Sequence, residues 1–260
     1  MRPNGEHSRR GHTRAVHDDE PTLVLLPGLA CDAEAWDGIA APLSARWRVH
    51  VSDAHFRAAT MTAMAERLLA DVRGPLVLVG HSMGGMLALG AQRIAPERVA
   101  ALALLASSAR ADTPELLRLR GEAVAMFEAG RVDEVLRANL PFALHAARAG
   151  DADLAERYLA LVRRAGAVQL AAQNRALMAR IDSRPLLAAI GCPVLVVCGD
   201  GDLLTPPEQA REIAAAVPGA QLEVLAGCGH MLTLEAPERV AALLLAWLAH
   251  AAPARRPRVT

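Results

Sequence analysis

The sequence predicts an α/β fold in which helices cover both faces of a mostly parallel, doubly wound sheet. Short apolar runs alternate with longer helical patterns along most of the 260-residue chain. These runs lack the polar–apolar alternation of half-exposed strands, which indicates strands that are covered on both faces. A chain of this length can also bury one full-sized core. The rhythm breaks once, between residues 110 and 184, where the pattern is helical throughout.

Six apolar runs are predicted to be the strands of this sheet. In chain order they are residues 22–26, 48–52, 76–80, 99–106, 193–198 and 221–225. Helix-start signals stand between and after them. Thr205 is predicted to cap a helix that Pro206 opens, and Pro237 is predicted to open the last helix. Strand and helix in strict alternation favour parallel strands joined by helical crossovers.

The segment from 110 to 184 is predicted to be an all-helical insert. Its first helix starts at Thr113-Pro114 and ends near Gly130, and a later one starts at Asp151 and ends near Gly166. We expect the insert to sit on the sheet as a cap, with an ordinary run of covering helices as the alternative. The predicted domains are therefore a flexible tail (1–20), a core (21–109 and 185–252), a cap (110–184) and a second tail (253–260).

Composition excludes several classes of function. Lys and Arg number 28, as do Asp and Glu, so no net field attracts nucleic acid or an anionic membrane. No run approaches the roughly 18 apolar residues of a membrane span, and the N-terminus lacks the apolar core of a secretory signal. The four cysteines show neither metal spacing nor a disulfide framework, which favours a reducing cytoplasm. No dinucleotide, P-loop or zincin motif is present, so we expect no cofactor and no metal.

The motif Gly80-His81-Ser82-Met83-Gly84 carries the strongest functional signal. It directly follows a predicted strand and opens a helical pattern. A tight strand-to-helix turn pushes the serine hydroxyl out of the sheet, and the helix N-terminus favours a developing negative charge. The glycines are expected because side chains there would collide with the neighbouring strand and helix. His81 is expected to be a packing residue.

With this motif in its strand–helix context, the chain resembles the α/β-hydrolase fold superfamily from about residue 22 to residue 251. The resemblance implies an enzyme with a serine nucleophile, Ser82, and no cofactor. It also implies an acid after a later strand and a histidine after the last strand.

Chain position selects the two partners of Ser82. His230 is the histidine that lies in the loop after the last predicted strand, and the resemblance implies the same position. The strand before it is followed by two aspartates, Asp200 and Asp202. The family pattern favours Asp202 as the acid that orients His230, whereas Asp200 is expected to form a turn by bonding local amides.

Two backbone amides are predicted to form an oxyanion hole. One is the N–H of Met83, the residue after the nucleophile, and the other is the N–H of Leu29 in the loop after the first strand. Family members usually carry His-Gly in this loop, where the present chain has Pro27-Gly28. The substitution removes a side chain and keeps the amide.

These residues predict a serine hydrolase that cleaves carboxylic esters of small or medium acyl groups through an acyl-enzyme. The same residues could support thioester, lactone or C–C bond hydrolysis or cofactor-free perhydrolysis, and a non-catalytic ligand-binding scaffold is the alternative from another class. A small-molecule ester is the expected partner. An acyl-carrier protein is less favoured, because twelve arginines face ten acidic residues between residues 110 and 184. The sequence leaves the oligomeric state open.

Overall fold

A computed structural model describes residues 20–252, and its centre is a parallel six-stranded sheet. The strands are β1 (Thr22–Leu26), β2 (Val49–Val51), β3 (Leu76–His81), β4 (Val99–Leu105), β5 (Val194–Gly199) and β6 (Gln221–Leu225). Each neighbouring pair is parallel, in the order β2-β1-β3-β4-β5-β6. The predicted strands and the predicted fold class are confirmed. The predicted tails are residues 1–20 and 253–260, and all of them except residue 20 lie outside the described residues.

The strand order creates a switch point between β1 and β3. From β1 the chain moves outward to β2, returns to β3 on the other side, and then continues outward to β6. In open parallel sheets, ligands bind beyond the carboxyl ends of the strands at such a switch point.

The helices are α1 (Asp37–Ser44), α2 (Met61–Asp71), α3 (Met83–Ile94), α4 (Pro114–Glu128), α5 (Val132–Ala143), α6 (Ala152–Arg163), α7 (Gly166–Met178), α8 (Pro207–Ala216), α9 (Leu232–Glu235) and α10 (Pro237–Ala251).

Alternate side chains of the strands supply two separate apolar cores. Leu23 and Leu25 of β1 belong to one core, which also contains side chains of α1 and α10. Val24 and Leu26 belong to the other, together with side chains of α2, α3 and α8. Since successive strand side chains point to opposite faces, this division shows that both faces of the sheet are covered.

The edge strand β6 departs from the prediction of strands buried on both faces. Gln221, Glu223 and Val224 are exposed, and only Leu225 of this strand is buried. An edge strand has a neighbour on one side only, and polar or charged residues there discourage pairing with another chain.

The predicted helix boundaries of the 110–184 segment agree with the structure. The Thr113 hydroxyl accepts the Leu116 N–H at 3.2 Å, and the Asp151 carboxylate accepts the Leu154 N–H at 3.0 Å. Gly130 (φ +77°), just beyond the end of α4, adopts a left-handed conformation. Four helices, α4 to α7, occupy this part of the chain. Their function as a cap stays a prediction.

Both ends of the helical segment are fixed near the sheet. The Ser183 N–H donates to the Ala109 carbonyl at 2.7 Å and joins the two connecting stretches. The Asp112 side chain, which is 0% exposed, pairs with Arg120 at 2.8 Å and with Arg180 at 2.6 Å. Arg120 lies on α4 and also donates to Asn174 on α7 at 2.9 Å. The buried Asp112 carboxylate and its arginine partners therefore connect α4 with α7.

The predicted cap of α8 is wrong. The helix begins at Pro207, and Thr205 makes no capping bond to it. Its hydroxyl donates instead to Asp202 at 2.8 Å. The Thr205 hydroxyl therefore bonds the nearby Asp202 carboxylate rather than a backbone N–H of α8.

No helix within residues 20–252 combines the length and the apolar character that crossing a bilayer requires.

Candidate active site

Ser82 lies at a sharp turn between β3 and α3. Its backbone has φ +53° and ψ −117°, a strained region for a residue with a side chain. A β-carbon at Gly84 would lie 2.0 Å from the Leu26 carbonyl oxygen, and one at Gly80 would lie 2.3 Å from the Gly84 oxygen. The prediction that these glycines avoid collisions is confirmed. The Ser107 hydroxyl donates to the Ser82 carbonyl at 2.8 Å and secures the turn from β4.

The structure brings Ser82, His230 and Asp202 into one hydrogen-bonded chain. The Ser82 Oγ lies 2.8 Å from His230 Nε2. His230 Nδ1 lies 2.9 Å from Asp202 Oδ2 and 3.1 Å from Oδ1. His230 and Asp202 are buried, whereas Ser82 is partly exposed. The arrangement allows an imidazole to accept the hydroxyl proton while a carboxylate bonds its other nitrogen.

Asp202 is held as a carboxylate by surrounding donors. The N–H groups of Leu204 and Thr205 each donate to its Oδ1 at 2.9 Å, and the Thr205 hydroxyl donates to Oδ2. Burial alone would raise the pKa of Asp202, but attraction to His230 and these hydrogen bonds outweigh it and lower the pKa. The carboxylate therefore stays charged beside the imidazole.

Asp200, the competing aspartate, does not contact His230. Its Oδ1 accepts the N–H of Gly227 at 2.8 Å and that of Cys228 at 3.3 Å. It does bond backbone amides, as expected, but those amides belong to the histidine loop rather than to its own turn. Asp200 therefore supports the loop that carries His230.

The loop of His230 is also tied to the helical segment through Glu235. The Glu235 carboxylate accepts the Gly229 N–H at 3.0 Å and the His145 N–H at 2.9 Å. The Met231 N–H donates to the Ala143 carbonyl at 3.0 Å. Burial raises the pKa of Glu235, and the two backbone donors oppose that rise. The end of α5 thus adjoins the histidine loop.

His81 does more than pack. Its Nε2 lies 2.9 Å from the His230 carbonyl, which can only accept, so this nitrogen carries the proton. Burial, and then repulsion from His230, lower the pKa of His81 to about 4. A neutral imidazole next to the serine therefore anchors the backbone of His230.

The two amides predicted to form the oxyanion hole lie close to Ser82. Met83 is the first residue of α3, and the loop containing Leu29 packs against the elbow, because a β-carbon at Gly28 would lie 3.4 Å from Ser82 Cβ. Among residues 20–252, neither the Leu29 nor the Met83 N–H has a hydrogen-bond acceptor. Both donors are free for an oxygen atom of a ligand.

No cluster of three or more His, Cys, Asp or Glu side chains with metal-binding geometry occurs within the described part of the chain. The four cysteines are free thiols. Burial raises the pKa of Cys31 to about 12 and that of Cys198 to about 11. These two thiols are therefore poor nucleophiles at neutral pH.

The contacts of Thr205 with Asp202, of Glu235 with the histidine loop and of Gln173 with Ala30 were not predicted from the sequence. Thr205 had a visible signal, since a threonine three residues after the candidate acid can reach its carboxylate. For Glu235 the bond to Gly229 is local, but the bond to His145 spans 90 residues and has no sequence signal. Gln173 has none either, because the Ala30 N–H that its Oε1 accepts lies 143 residues away.

Known proteins resemble this chain over most of its length. The model of the Alpha/beta hydrolase family matches residues 23–243. The pimeloyl-[acyl-carrier protein] methyl ester esterase of Neisseria meningitidis serogroup B is 30% identical over 252 residues, covering 90% of this chain and 95% of the relative. The protein of that name from Nitrosomonas europaea is 30% identical over 241 residues, covering 84% and 92%.

Solved structures show the same fold. A thermophilic esterase from Thermogutta terrifontis superposes with a TM-score of 0.82 at 27% identity, covering 90% of this chain and 92% of that chain. An enol-lactonase from Burkholderia xenovorans superposes with a TM-score of 0.78 at 23% identity, covering 91% and 94%. The family model, the curated relatives and the superposed sheet all agree with the predicted superfamily. The chain belongs to the alpha/beta hydrolase family and is one of its ester-hydrolysing enzymes.

Proposed function

We propose that this enzyme hydrolyses carboxylic esters through an acyl-enzyme on Ser82. The observation that carries the proposal is the continuous relay from the Ser82 hydroxyl through His230 to Asp202, with separations of 2.8 and 2.9 Å. The imidazole thus bonds the hydroxyl on one side and the carboxylate on the other.

The proposed reaction has two steps. His230 takes the Ser82 proton as Ser82 attacks the ester carbonyl, and the Leu29 and Met83 N–H groups bind the resulting oxyanion. His230 then protonates the departing alcohol, leaving an acyl group on Ser82. Water, deprotonated by His230, attacks this acyl group. The bond to Ser82 Oγ then breaks, and the His230 imidazolium returns its proton to Ser82 as the carboxylic acid leaves. Asp202 stabilises the imidazolium in both steps.

Release of nitrophenolate from p-nitrophenyl acetate and butyrate tests the proposal. Ser82→Ala is expected to lower kcat at least about a thousandfold, because the nucleophile is removed. Ser44→Ala is the matched control and should keep wild-type turnover, because this exposed serine of α1 donates to the Ala40 carbonyl of its own helix at 2.8 Å. A folded Ser82→Ala protein with wild-type turnover would rule out the acyl-enzyme.

We also propose that residues 110–184 cap the catalytic centre. Support comes from two contacts between this segment and the centre: the Ala143 carbonyl accepts the Met231 N–H, and Glu235 bridges Gly229 and His145. The end of α5 is thus hydrogen-bonded to the histidine loop. A cap in this position would bound the acyl pocket of a small or medium ester.

A carrier-bound methyl ester is the second candidate substrate, favoured by the names of the relatives from Neisseria and Nitrosomonas. The surface of the helical segment supports it less. Among residues 20–252, Arg137 and Arg157 are the arginines of the segment without an ion-pair partner. Few cations thus remain free for an acidic carrier protein.

Methyl esters of the same acyl group, free and linked to acyl-carrier protein, separate the two candidates. A small-molecule esterase is expected to hydrolyse both with similar kcat/KM. A carrier-dependent enzyme would favour the linked ester at least about tenfold, and added salt would reduce that preference.

A further inference from the structure

A buried glutamine of the helical segment contacts the loop that follows β1. Gln173, on α7, is 0% exposed. Its Oε1 accepts the Ala30 N–H at 2.7 Å, and its Nε2 donates to the His55 carbonyl at 3.2 Å. An N–H must face the amide oxygen and a carbonyl must face the amide nitrogen, so these two partners fix the orientation of the side chain.

The contacted residue, Ala30, has an unfavourable backbone conformation. Its φ is +58°, in the left-handed region that a β-carbon disfavours. The Cys31 N–H donates to the Gly28 carbonyl at 3.1 Å and closes a turn around Leu29 and Ala30. Ala30 is 2% exposed, so without Gln173 its N–H would be buried with no acceptor. The glutamine therefore favours the strained turn over relaxed alternatives.

A second contact holds the same turn from its other end. The Cys31 carbonyl accepts a hydrogen bond from His55 Nε2 at 2.8 Å. Because Gln173 donates to the backbone of His55, the glutamine, the histidine and the turn form a closed network. A side chain of α7 is thus connected to both Ala30 and Cys31.

This turn lies directly against the catalytic serine. A β-carbon at Gly28 would lie 3.4 Å from Ser82 Cβ and 3.0 Å from His81 Nδ1. The Leu29 N–H belongs to the peptide that joins Gly28 and Leu29, and the Ala30 N–H belongs to the next peptide. Because the Cys31–Gly28 hydrogen bond closes the turn, a shift of the Ala30 peptide must be matched by changes in the Leu29 backbone angles and so in the direction of the Leu29 N–H. Oxyanion donors lose their effect when they are displaced from the position of the developing charge.

We propose that Gln173 is a positioning residue that holds the Ala30 turn so that the Leu29 N–H points to the oxyanion. The inference rests on the proposed function, because it assigns Gln173 a part in the same reaction. Through this contact, the helical segment contributes to transition-state binding without touching the substrate.

The test compares two glutamines of the same helix. Gln173→Met keeps the length of the side chain and removes both hydrogen bonds. Gln169→Met is the matched control, because Gln169, one turn earlier, donates to the Phe56 carbonyl at 3.3 Å and does not contact the Ala30 turn.

Gln173→Met is expected to lower kcat for p-nitrophenyl butyrate about tenfold to a hundredfold, with KM changing less than about threefold. The affinity for butylboronic acid, which forms a tetrahedral adduct on serine, should fall by a similar factor. Gln169→Met should stay within about twofold of wild type in both measurements. If the methionine variant does not fold, Gln173→Asn tests the same contact with a shortened amide.

A folded Gln173→Met or Gln173→Asn protein with wild-type kcat and boronate affinity would overturn the proposal. So would equal losses in the Gln169 control, since these would indicate general damage to α7. Ser82→Ala is measured alongside. If it abolishes turnover while the Gln173 variants are fully active, only the positioning role fails. If it leaves turnover intact, the proposed function itself fails.

Discussion

At the scale of single residues, the centre combines groups that are charged with groups that must stay neutral. Asp202 remains ionised because its pKa is lowered by His230 and by backbone donors. His81, two residues from the start of α3, remains neutral because its pKa is lowered to about 4 by burial. The neutral ring can then donate to the His230 backbone without repelling the imidazolium that forms during the proposed reaction.

The pKa of His81 predicts a loss of stability in acid. Its pKa falls from 6.5 to about 4 on folding, so the unfolded chain binds more protons between these pH values. The free energy of unfolding therefore declines as the pH falls from 6.5 towards 4, by about 3 kcal/mol from this residue. Urea unfolding across that range measures the decline, with His81→Gln as the comparison.

His81→Gln keeps a donor towards the His230 carbonyl and removes the titrating ring. The difference in unfolding free energy between wild type and variant should therefore shrink, or change sign, as the pH is lowered. Parallel curves for the two proteins would show that His81 does not titrate on unfolding.

The site residues that could be predicted from the sequence are those in a continuous motif and those at a fixed position in the chain order of the family. Ser82 stands in a local pattern, and Asp202 and His230 follow identifiable strands. The structure places these three together, while their roles stay predictions. Gln173 could not be found, because an ordinary helical glutamine acquires its importance only from the turn that it meets 143 residues away.

At the scale of elements, the strands were predictable and the helix ends less so. Buried runs such as β3 and β5 carry their own apolar signal. The start of α8 was misplaced because Thr205 satisfies Asp202 rather than the helix. Most side chains of β6 are exposed because the strand lies at the edge of the sheet. The residues of one strand do not reveal its position in the sheet.

The buried ion cluster at Asp112 predicts a large effect on the helical segment. Asp112→Asn would leave Arg120 and Arg180 without their carboxylate, with exposures of 19% and 8% in their side chains. We expect a loss of about 3–5 kcal/mol in unfolding free energy, measured by denaturant titration.

Asp182→Asn is the control for that measurement. Asp182 pairs with Arg184, and their side chains are 31% and 47% exposed. This exposed pair should contribute less than about 1 kcal/mol. Similar losses in the two variants would contradict the assignment of Asp112 as the residue that holds α4 and α7 at the sheet.

At the scale of the whole molecule, the helical segment and the sheet share one apolar core. Phe127, Leu136 and Leu159 of the segment belong to the same buried cluster as Leu23 and Leu244. Contacts of this kind couple the stability of the two parts. The domain boundaries at residues 110 and 184 therefore describe the course of the chain rather than independent folding units.

The shared core predicts a single cooperative unfolding transition. Tyr158, the sole tyrosine of the chain, lies in the helical segment, and the three tryptophans, Trp36, Trp47 and Trp247, lie in the same cluster beside the sheet. Tyrosine absorbance, tryptophan fluorescence and far-UV circular dichroism should give one midpoint on heating. A lower midpoint for the tyrosine signal would show that the segment unfolds first.

The left-handed backbone at Ser82 (φ +53°) has a consequence for protein engineering. Glycine would relieve strain there that costs a side-chain-bearing residue of order 1–2 kcal/mol, and it would remove the hydroxyl at the same time. Under the proposed mechanism, thermostability and activity therefore compete at this position. A directed-evolution campaign that ranks variants by heat resistance alone would enrich inactive protein, so each round needs a parallel selection for turnover.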